Sequence, residues 1–510
     1  MQDMCIIPRP SETTLKEGFF QGRSLPPVTG DVRFSNETAI FRAQMNDAFE
    51  RADNMRMRSE SAAQSIVCAH GTGFADEGYG LIITEREARI EASGPKGCYR
   101  GLQTLRQLLA ASLADSEGRE FRIPCAEIRD EPRFPWRGFM LDCSRTFFSA
   151  AFVKKQIDLI SMYGMNTFHW HLTDDQGWRL PVKGWPKLTE IGAWRTDYHV
   201  SAEPDHIVGG FYTEEEIREV VAYAAARHIE VIPEIDLPGH ASAILAAHPE
   251  LGCTGGPYAV EDRYGIFPDV LCAGTDKIFD FAAAVFDALG DLFPSRFVHI
   301  GGDEVRFERW KECPRCSLRM KEFGLGKPEE LQAWITMRLA NMLHERGKTA
   351  IGWDEVLHET EKLGLPENLI VMSWTGTEGG FEAARRGHRV VMTPMTDGCY
   401  LNFKPLDSQE EPGRLDITTV KQSYAFDPAP PVMTAEQAAL VEGGQCNFWS
   451  EGIDSGRIAE YLVYPRLCAV AESLWTRPER KNFESFKGRL RAHRKMLDLL
   501  NVCHYRGPLE

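Results

Sequence analysis

The chain has 510 residues, 43% of them hydrophobic and 26% charged, with 58 basic and 74 acidic side chains and a formal net charge of −16. Those proportions are those of an ordinary soluble globular protein with room for two domains, one of them large. An acidic chain without a clustered Lys/Arg run argues against nucleic acid or an anionic membrane as the main partner, and no stretch approaches the ~18 uninterrupted apolar residues of a transmembrane helix.

Met1 to Pro10 carries no basic region followed by an apolar core. Two compartments stay open: the cytosol, or a secreted or periplasmic location whose signal peptide is not part of this sequence. Thirteen cysteines are an odd number without the dense spacing of a disulfide scaffold, so most are expected to be small buried hydrophobes. Cys313-Pro-Arg-Cys316 resembles half a zinc site. No second CxxC and no nearby His pair completes it, and it is read as a structural loop.

Residues 1–130 read as a small α/β unit. Asn36 to Ala52 is a helix with Phe41, Met45 and Phe49 apolar, and Gly78–Thr84 pairs with Ala88–Ala92 across a polar turn. Gly97 to Ser112 is an amphipathic helix with Leu102, Leu105, Leu108 and Leu109 on one stripe. Nothing here gathers catalytic groups, and the expected role is support. Asp130-Glu-Pro-Arg-Phe-Pro135 breaks the pattern, because two prolines continue neither element.

Residues 131–510 repeat strand, polar turn, helix. The predicted strands are Arg137–Cys143, Asn166–His171, Ile229–Ile235, Phe297–Gly301, Thr349–Trp353, Leu369–Trp374, Arg389–Thr393 and Gln445–Trp449. Helices fall at Ala151–Tyr163, Glu214–His228, Lys277–Leu292, Glu329–Arg346, Glu436–Glu442 and Arg457–Glu472. Eight apolar strands alternating with helices imply a (β/α)8 barrel. A last helix, Phe483 to Leu500, is expected against the barrel wall.

Polar and aromatic groups recur where these strands end, and that rim is where a barrel of this kind carries its chemistry. In chain order they include Asp142 and Arg145, then His169, His171, Asp174 and Asp175, then Glu234, Asp236 and His240. Asp303 and Glu304, Trp353, Trp374, Tyr400 and Asn402, and Trp449 and Glu451 follow. His299-Ile-Gly-Gly-Asp-Glu304 is the centre of the set. Its glycines allow a tight bend, and its adjacent acids repel, which suits one to keep a proton as general acid beside an anionic helper. Alone, Gly-Gly-Asp-Glu is as often a solvated acidic turn, and a nucleotide-cyclase signature would need Phe where Val305 stands. Three tryptophans and a tyrosine with Arg, Asp and Glu suit a sugar ring, apolar faces on indoles and hydroxyls on charged groups. A phosphate substrate would call for a Gly-rich loop with Lys/Arg. His169 and His171 form an HxH pair on one face of a strand, which with Asp174 and Asp236 offers a metal-dependent hydrolase as the competing chemistry. The full set favours satisfied, structural histidines. Trp136, Trp170, Trp185, Trp194, Trp310 and Trp475 are read as structural.

The motifs Arg137-Gly-Phe-Met-Leu-Asp-Cys-Ser-Arg145, His171-Leu-Thr-Asp-Asp175, Asp236-Leu-Pro-Gly-His240 and His299-Ile-Gly-Gly-Asp-Glu304 resemble those of the β-N-acetylhexosaminidases of glycoside hydrolase family 20. The first part resembles that family's small N-terminal domain, ending in Gly101-Leu-Gln-Thr-Leu-Arg-Gln-Leu108. The resemblance implies an exo-acting, retaining enzyme on terminal β-linked GlcNAc or GalNAc, with the substrate's own acetamido oxygen as nucleophile. It implies Glu304 as general acid and base and Asp303 as the group that orients the acetamido N–H. Tyr400 would hydrogen-bond the acetamido oxygen and Trp353, Trp374 and Trp449 would wall the sugar. Arg145 and Glu451 would hold hydroxyls, and Asp174, Asp236, His240 and His299 would orient the site. No cofactor and no metal are implied. The expected partner is a glycan with a terminal N-acetylhexosamine, and a homodimer is left open. Asn402 stands where the family's Tyr-x-Asp pattern has aspartate, which leaves the sugar preference open. Cys253 and Cys272 flank a loop that resembles one closed by a disulfide in some relatives.

Overall fold

The computed structural model describes residues 4–52, 64–118, 120–197, 206–360 and 363–510; Met1–Asp3 of the N-terminal stretch considered above lie outside them.

Six strands build the first unit: β1 (Glu12–Gly22), β2 (Val28–Gly30), β3 (Ser65–His70), β4 (Tyr79–Ile83), β5 (Glu87–Ala92) and β6 (Phe121–Asp130), in the order β1-β6-β4-β5-β3-β2. The β1/β6, β6/β4 and β4/β5 pairs are antiparallel, and β3 runs parallel to both β5 and β2. Alternation along β5 buries Ala88, Ile90 and Ala92, the period-2 pattern of a sheet with one covered face. Helices α1 (Ser35–Ala52) and α2 (Pro95–Asp115) cover that face. Gly97 and Gly101 let α2 approach closely: a Cβ at Gly97 would lie 2.2 Å from the Gly78 carbonyl oxygen and one at Gly101 2.6 Å from Ile90.

The leucine stripe of α2 is buried as expected, yet so is its polar side, including Arg100, Gln103, Arg106 and Gln107. The helix lies between its own sheet and the barrel. Arg106 pairs with Asp158 at 2.7 Å, Gln107 donates to the Met162 carbonyl at 2.7 Å, and Arg100 and Arg137 both pair with Glu77.

The second unit is a closed barrel of eight parallel strands: Trp136–Asp142, Thr167–His171, Glu230–Glu234, Phe297–His299, Thr349–Trp353, Ile370–Ser373, Val390–Met392 and Val441–Phe448. Strand eight pairs with strand one and closes the ring. Inside, side chains stack from Trp136 and Phe297 through Met140, Ile232, Ile351 and Met372 to Trp353, Tyr400 and Trp449, so the interior is packed, as in other barrels of this kind.

Two expectations need correction, and a third is extended. The helix expected at Glu436–Glu442 is a single turn, Ala435–Ala438, and strand eight already begins at Val441; the glycines at 443 and 444 had hidden its start. The helix expected over Arg457–Glu472 is two, Gly456–Val463 and Arg466–Trp475, divided at Tyr464-Pro465, where proline has no N–H to continue the first. The last helix, Phe483–Leu499, packs on α2 as well as on the barrel. Arg489 pairs with Glu472, and His493 lies 3.3 Å from the Tyr163 hydroxyl.

Candidate active site

The strand ending at His299 runs into Gly301, Gly302, Asp303 and Glu304, and three of these have left-handed backbone: φ is +66° at Gly301, +96° at Gly302 and +52° at Glu304. Glycine accepts such angles freely, whereas glutamate is strained there. Gly301 is required for space as well, since a Cβ there would lie 1.8 Å from Asp236 Oδ1. That same carboxylate oxygen accepts the Gly302 N–H at 3.0 Å. The bend therefore presses Asp303 and Glu304 against the loop that follows strand three.

His240, itself at φ +45°, stands between the acids. Its Nδ1–H faces Asp174 Oδ1 at 3.1 Å and Asp175 Oδ2 at 3.0 Å, while Nε2 faces Glu304 at 3.5 Å and Asp303 at 3.7 Å. Burial opposes charge on this ring, but the surrounding carboxylates outweigh it and hold the imidazolium form. Burial also works on Glu304, and here the hydrogen bond and charge of His240 prevail, keeping it below the usual glutamate range. Asp303 goes the other way. Burial, then the charge of Asp236, raises it well above the ordinary aspartate value, and burial lifts Asp236 to about 7. The repulsion anticipated between Asp303 and Glu304 thus falls mainly between Asp303 and Asp236.

Beneath this cluster lies a layer whose residues were among the strand-end groups but whose centre, Glu234, had been given no role. Parallel register sets Asp142, His171, Glu234 and His299 side by side on strands one to four. Glu234 is fully buried and faces His169 Nε2 at 2.9 Å, His299 Nδ1 at 3.0 Å, Trp353 Nε1 at 2.9 Å and His171 Nδ1. Burial alone would raise Glu234, but the three histidines hold it far below the carboxylate range. His171 spans Glu234 and Asp174 (3.0 Å) and is held charged, whereas burial drives His169 down to about 4 and keeps it neutral. The HxH pair is thus consumed in a hydrogen-bonded layer. An acid within the apolar run Val231-Ile-Pro-Glu-Ile235, next to the HxH strand, was the available signal.

The rim brings the remaining predicted groups together. Arg145 pairs with Asp174 at 2.7 Å and lies over the Trp449 ring at 4.9 Å; Asp142 fixes its turn by accepting the N–H groups of Ser144 and Arg145. Glu451 is raised by burial and faces Arg414 at 3.2 Å. Tyr400 lies near parallel to Trp374 (14° between planes) and 6.4 Å from Trp449, which lies 5.8 Å from Trp353. Trp374 Nε1 donates at 2.8 Å to Glu355. Glu355 is a residue the sequence reading missed: burial, then the charge of Asp303, raises it to about 9, so it keeps a proton beside the site. Asn402 is fully enclosed, and neither its amide oxygen nor nitrogen has a partner among the described residues. Of the six tryptophans read as structural, Trp194 is 41% exposed.

A cleft of about 610 Å³ opens at the other end of the strands, by Glu77, Trp136, Arg296 and Phe297. Its acids are engaged, Glu77 with Arg100 and Arg137 and Glu442 with Arg389, and that end of a barrel serves stability.

Cys253 and Cys272 are free thiols, which corrects the disulfide implied for them. Nor is Cys313-Pro-Arg-Cys316 an isolated loop: Cys253 and Cys272 lie against it.

The description "Glycosyl hydrolase family 20, catalytic domain" matches residues 134–478, and "Glycosyl hydrolase family 20, domain 2" matches 3–131. The chain belongs to glycosyl hydrolase family 20. Among its relatives, a beta-hexosaminidase of Porphyromonas gingivalis is 41% identical over 437 residues, covering 85% of this chain, which spans only 55% of that protein. One from Akkermansia muciniphila is 35% identical over 480 residues, 92% of each chain. A crystal structure of a family 20 exo beta-N-acetylglucosaminidase from Vibrio harveyi in complex with N-acetylglucosamine superposes with a TM-score of 0.87 at 30% identity, over 99% of this chain and 79% of that one. The chain is a glycoside hydrolase with a parallel barrel and a small sheet domain, and none of its described helices is long and apolar enough to cross a membrane.

Proposed function

We propose that the protein is an exo-acting β-N-acetylhexosaminidase that removes terminal non-reducing GlcNAc or GalNAc with retention, through an oxazoline-type intermediate. The observation that carries this is the strained Gly-Gly-Asp-Glu bend set before the Trp353, Trp374, Tyr400 and Trp449 box. Asp303 and its carboxyl neighbour Asp236 form a buried acid pair suited to one proton between them. A substrate amide N–H aimed at Asp303 would favour its anion and leave the proton on Asp236. The anion would then orient the acetamido group and stabilise charge growing on it as its oxygen closes on C1. Tyr400 would donate to that oxygen, and the indoles would enclose the methyl and the sugar face.

Glu304 would protonate the departing oxygen and later deprotonate the attacking water. In the free protein His240 holds it ionised. A bound sugar would displace water from its partly exposed carboxyl and raise its proton affinity, which is the change a general acid needs. Arg145 and Glu451 would grip ring hydroxyls and close the site behind one terminal sugar. Asn402, enclosed and unpaired, would reach a hydroxyl only after a side-chain shift, so it would tune preference at O4 or O6 more than it would bind.

The test compares p-nitrophenyl β-GlcNAc, β-GalNAc and plain β-glucoside, with and without EDTA added at the start of the assay. Release from the acetamido sugars alone, indifferent to EDTA, is expected. Turnover of the glucoside would show that the nucleophile is misassigned, and loss with EDTA would favour the metal-dependent alternative.

A further inference from the structure

Two cysteines from the loop after strand three and a CxxC from the loop after strand four converge beside the catalytic loops. Cys253, Cys272, Cys313 and Cys316 place all four Sγ atoms within 4.8 Å of one another. Cys253–Cys316 and Cys272–Cys316 are 3.8 Å apart and Cys272–Cys313 is 3.9 Å. Zn–S bonds of about 2.3 Å in a tetrahedron set sulfurs about 3.8 Å apart, whereas a disulfide would need about 2.05 Å. We propose that these four residues form a structural zinc site, each supplying one thiolate ligand.

The backbone is built for such a site. Cys313 precedes and Cys316 sits in the first turn of the helix Pro314–Glu322, which makes the CxxC a knuckle at a helix N-terminus. The bridge between Gly252 and Leu271 and the Cys272 N–H to Leu251 carbonyl bond (2.8 Å) bring Cys253 and Cys272 together. Gly274 is indispensable to the approach, because a Cβ there would lie 2.2 Å from the Arg315 carbonyl carbon and 2.4 Å from the Cys316 nitrogen. Binding would release one proton from each thiol and leave a zinc tetrathiolate of net charge −2. Arg315, which donates to the Gly252 and Cys253 carbonyls, stands beside the cluster to offset that charge.

The site would join the loop after strand three, which carries Asp236 and His240, to the loop after strand four, which carries Asp303 and Glu304. It would also pin both ends of the 253–272 segment, whose Glu261 N–H donates to the Asp175 carbonyl and whose Leu271 N–H donates to the Pro238 carbonyl. Four thiolates leave no open coordination position, so the metal is structural and takes no part in the chemistry. Zinc lost slowly to EDTA would raise KM more than it lowers kcat, whereas loss of a catalytic metal would abolish kcat, which separates the two in the EDTA test above.

The test is metal analysis of the purified full chain prepared without chelator. About one zinc per chain is expected, falling well below that in Cys272→Ser and Cys316→Ser. If those variants fail to fold, wild-type protein grown on cobalt decides the matter. It should show the visible bands of tetrahedral cobalt thiolate and lose them on treatment with a thiol-specific mercurial. Stripped protein should melt several degrees lower and regain its midpoint with zinc, and its KM should rise more than its kcat falls. Substoichiometric zinc with a Cys–Cys bond among the four by mass spectrometry, or stoichiometric iron in place of zinc, would overturn the assignment.

Discussion

A methyl group on Gly301 would come within 1.8 Å of the Asp236 carboxylate at a left-handed backbone position, so Gly301→Ala strains the bend twice over. It is expected to cost about 1–3 kcal/mol in chemical denaturation and most of the activity, because Asp236 must move. Asp236 itself carries a pH signature. Burial lifts it to about 7, above the ~3.9 of an exposed aspartate. Between those values the folded chain holds the extra proton, so this group withdraws stability as pH rises through the window. Asp236→Asn, which retains an acceptor for the Gly302 N–H, should gain at most about 4 kcal/mol over the parent at pH 8 and nothing near pH 3. A gain independent of pH in urea titrations would contradict the buried acid pair. Glu304→Gln should lower turnover of β-GlcNAc linked to another sugar by about 10²–10⁴-fold, with the smaller loss on p-nitrophenyl β-GlcNAc, whose leaving group needs no proton.

At the scale of the element, the barrel mouth rests on Glu234 and the donors of strands two, four and five. Glu234→Ala strands His169, His171, His299 and Trp353 around a buried gap and should cost about 3–5 kcal/mol, measured by guanidinium unfolding. The strands of the barrel were legible because apolar runs of fixed length alternate with amphipathic helices, and the rim was legible because polar and aromatic residues fall where those runs stop. The role of Glu234 was not, because one acid inside an apolar strand shows its partners only once neighbouring strands come into register. The edges of the first sheet escaped for a related reason: β1 is mostly exposed and polar, with Phe20 its single fully buried residue, so no period-2 stripe marks it. Glu355 was hidden behind Trp353, and the cysteine quartet by the sequence separation of 41 between Cys272 and Cys313 that divides its halves.

Across the whole molecule, α2 and the last helix connect the sheet unit to the barrel. Glu77 takes Arg100 from its own unit and Arg137 from barrel strand one. Burial would raise it, but Arg137 and then Arg100 outweigh that and lower it to about 2. Its contribution is therefore complete above about pH 4.5 and is lost as pH falls toward 2. Glu77→Gln should cost about 3 kcal/mol at pH 7, leave one cooperative unfolding transition, and lose that cost near pH 2. Two separated transitions in the parent protein would mean that the units fold independently. The central claim, however, concerns the nucleophile. Its most direct test is a series of p-nitrophenyl β-glucosaminides whose N-acyl group carries zero to three fluorines, since fluorine weakens the carbonyl oxygen with little change in size. The acetamido-assisted reading predicts kcat/KM falling steeply and monotonically across the series; a flat response would assign the attack on C1 to a protein carboxylate or to water and contradict it.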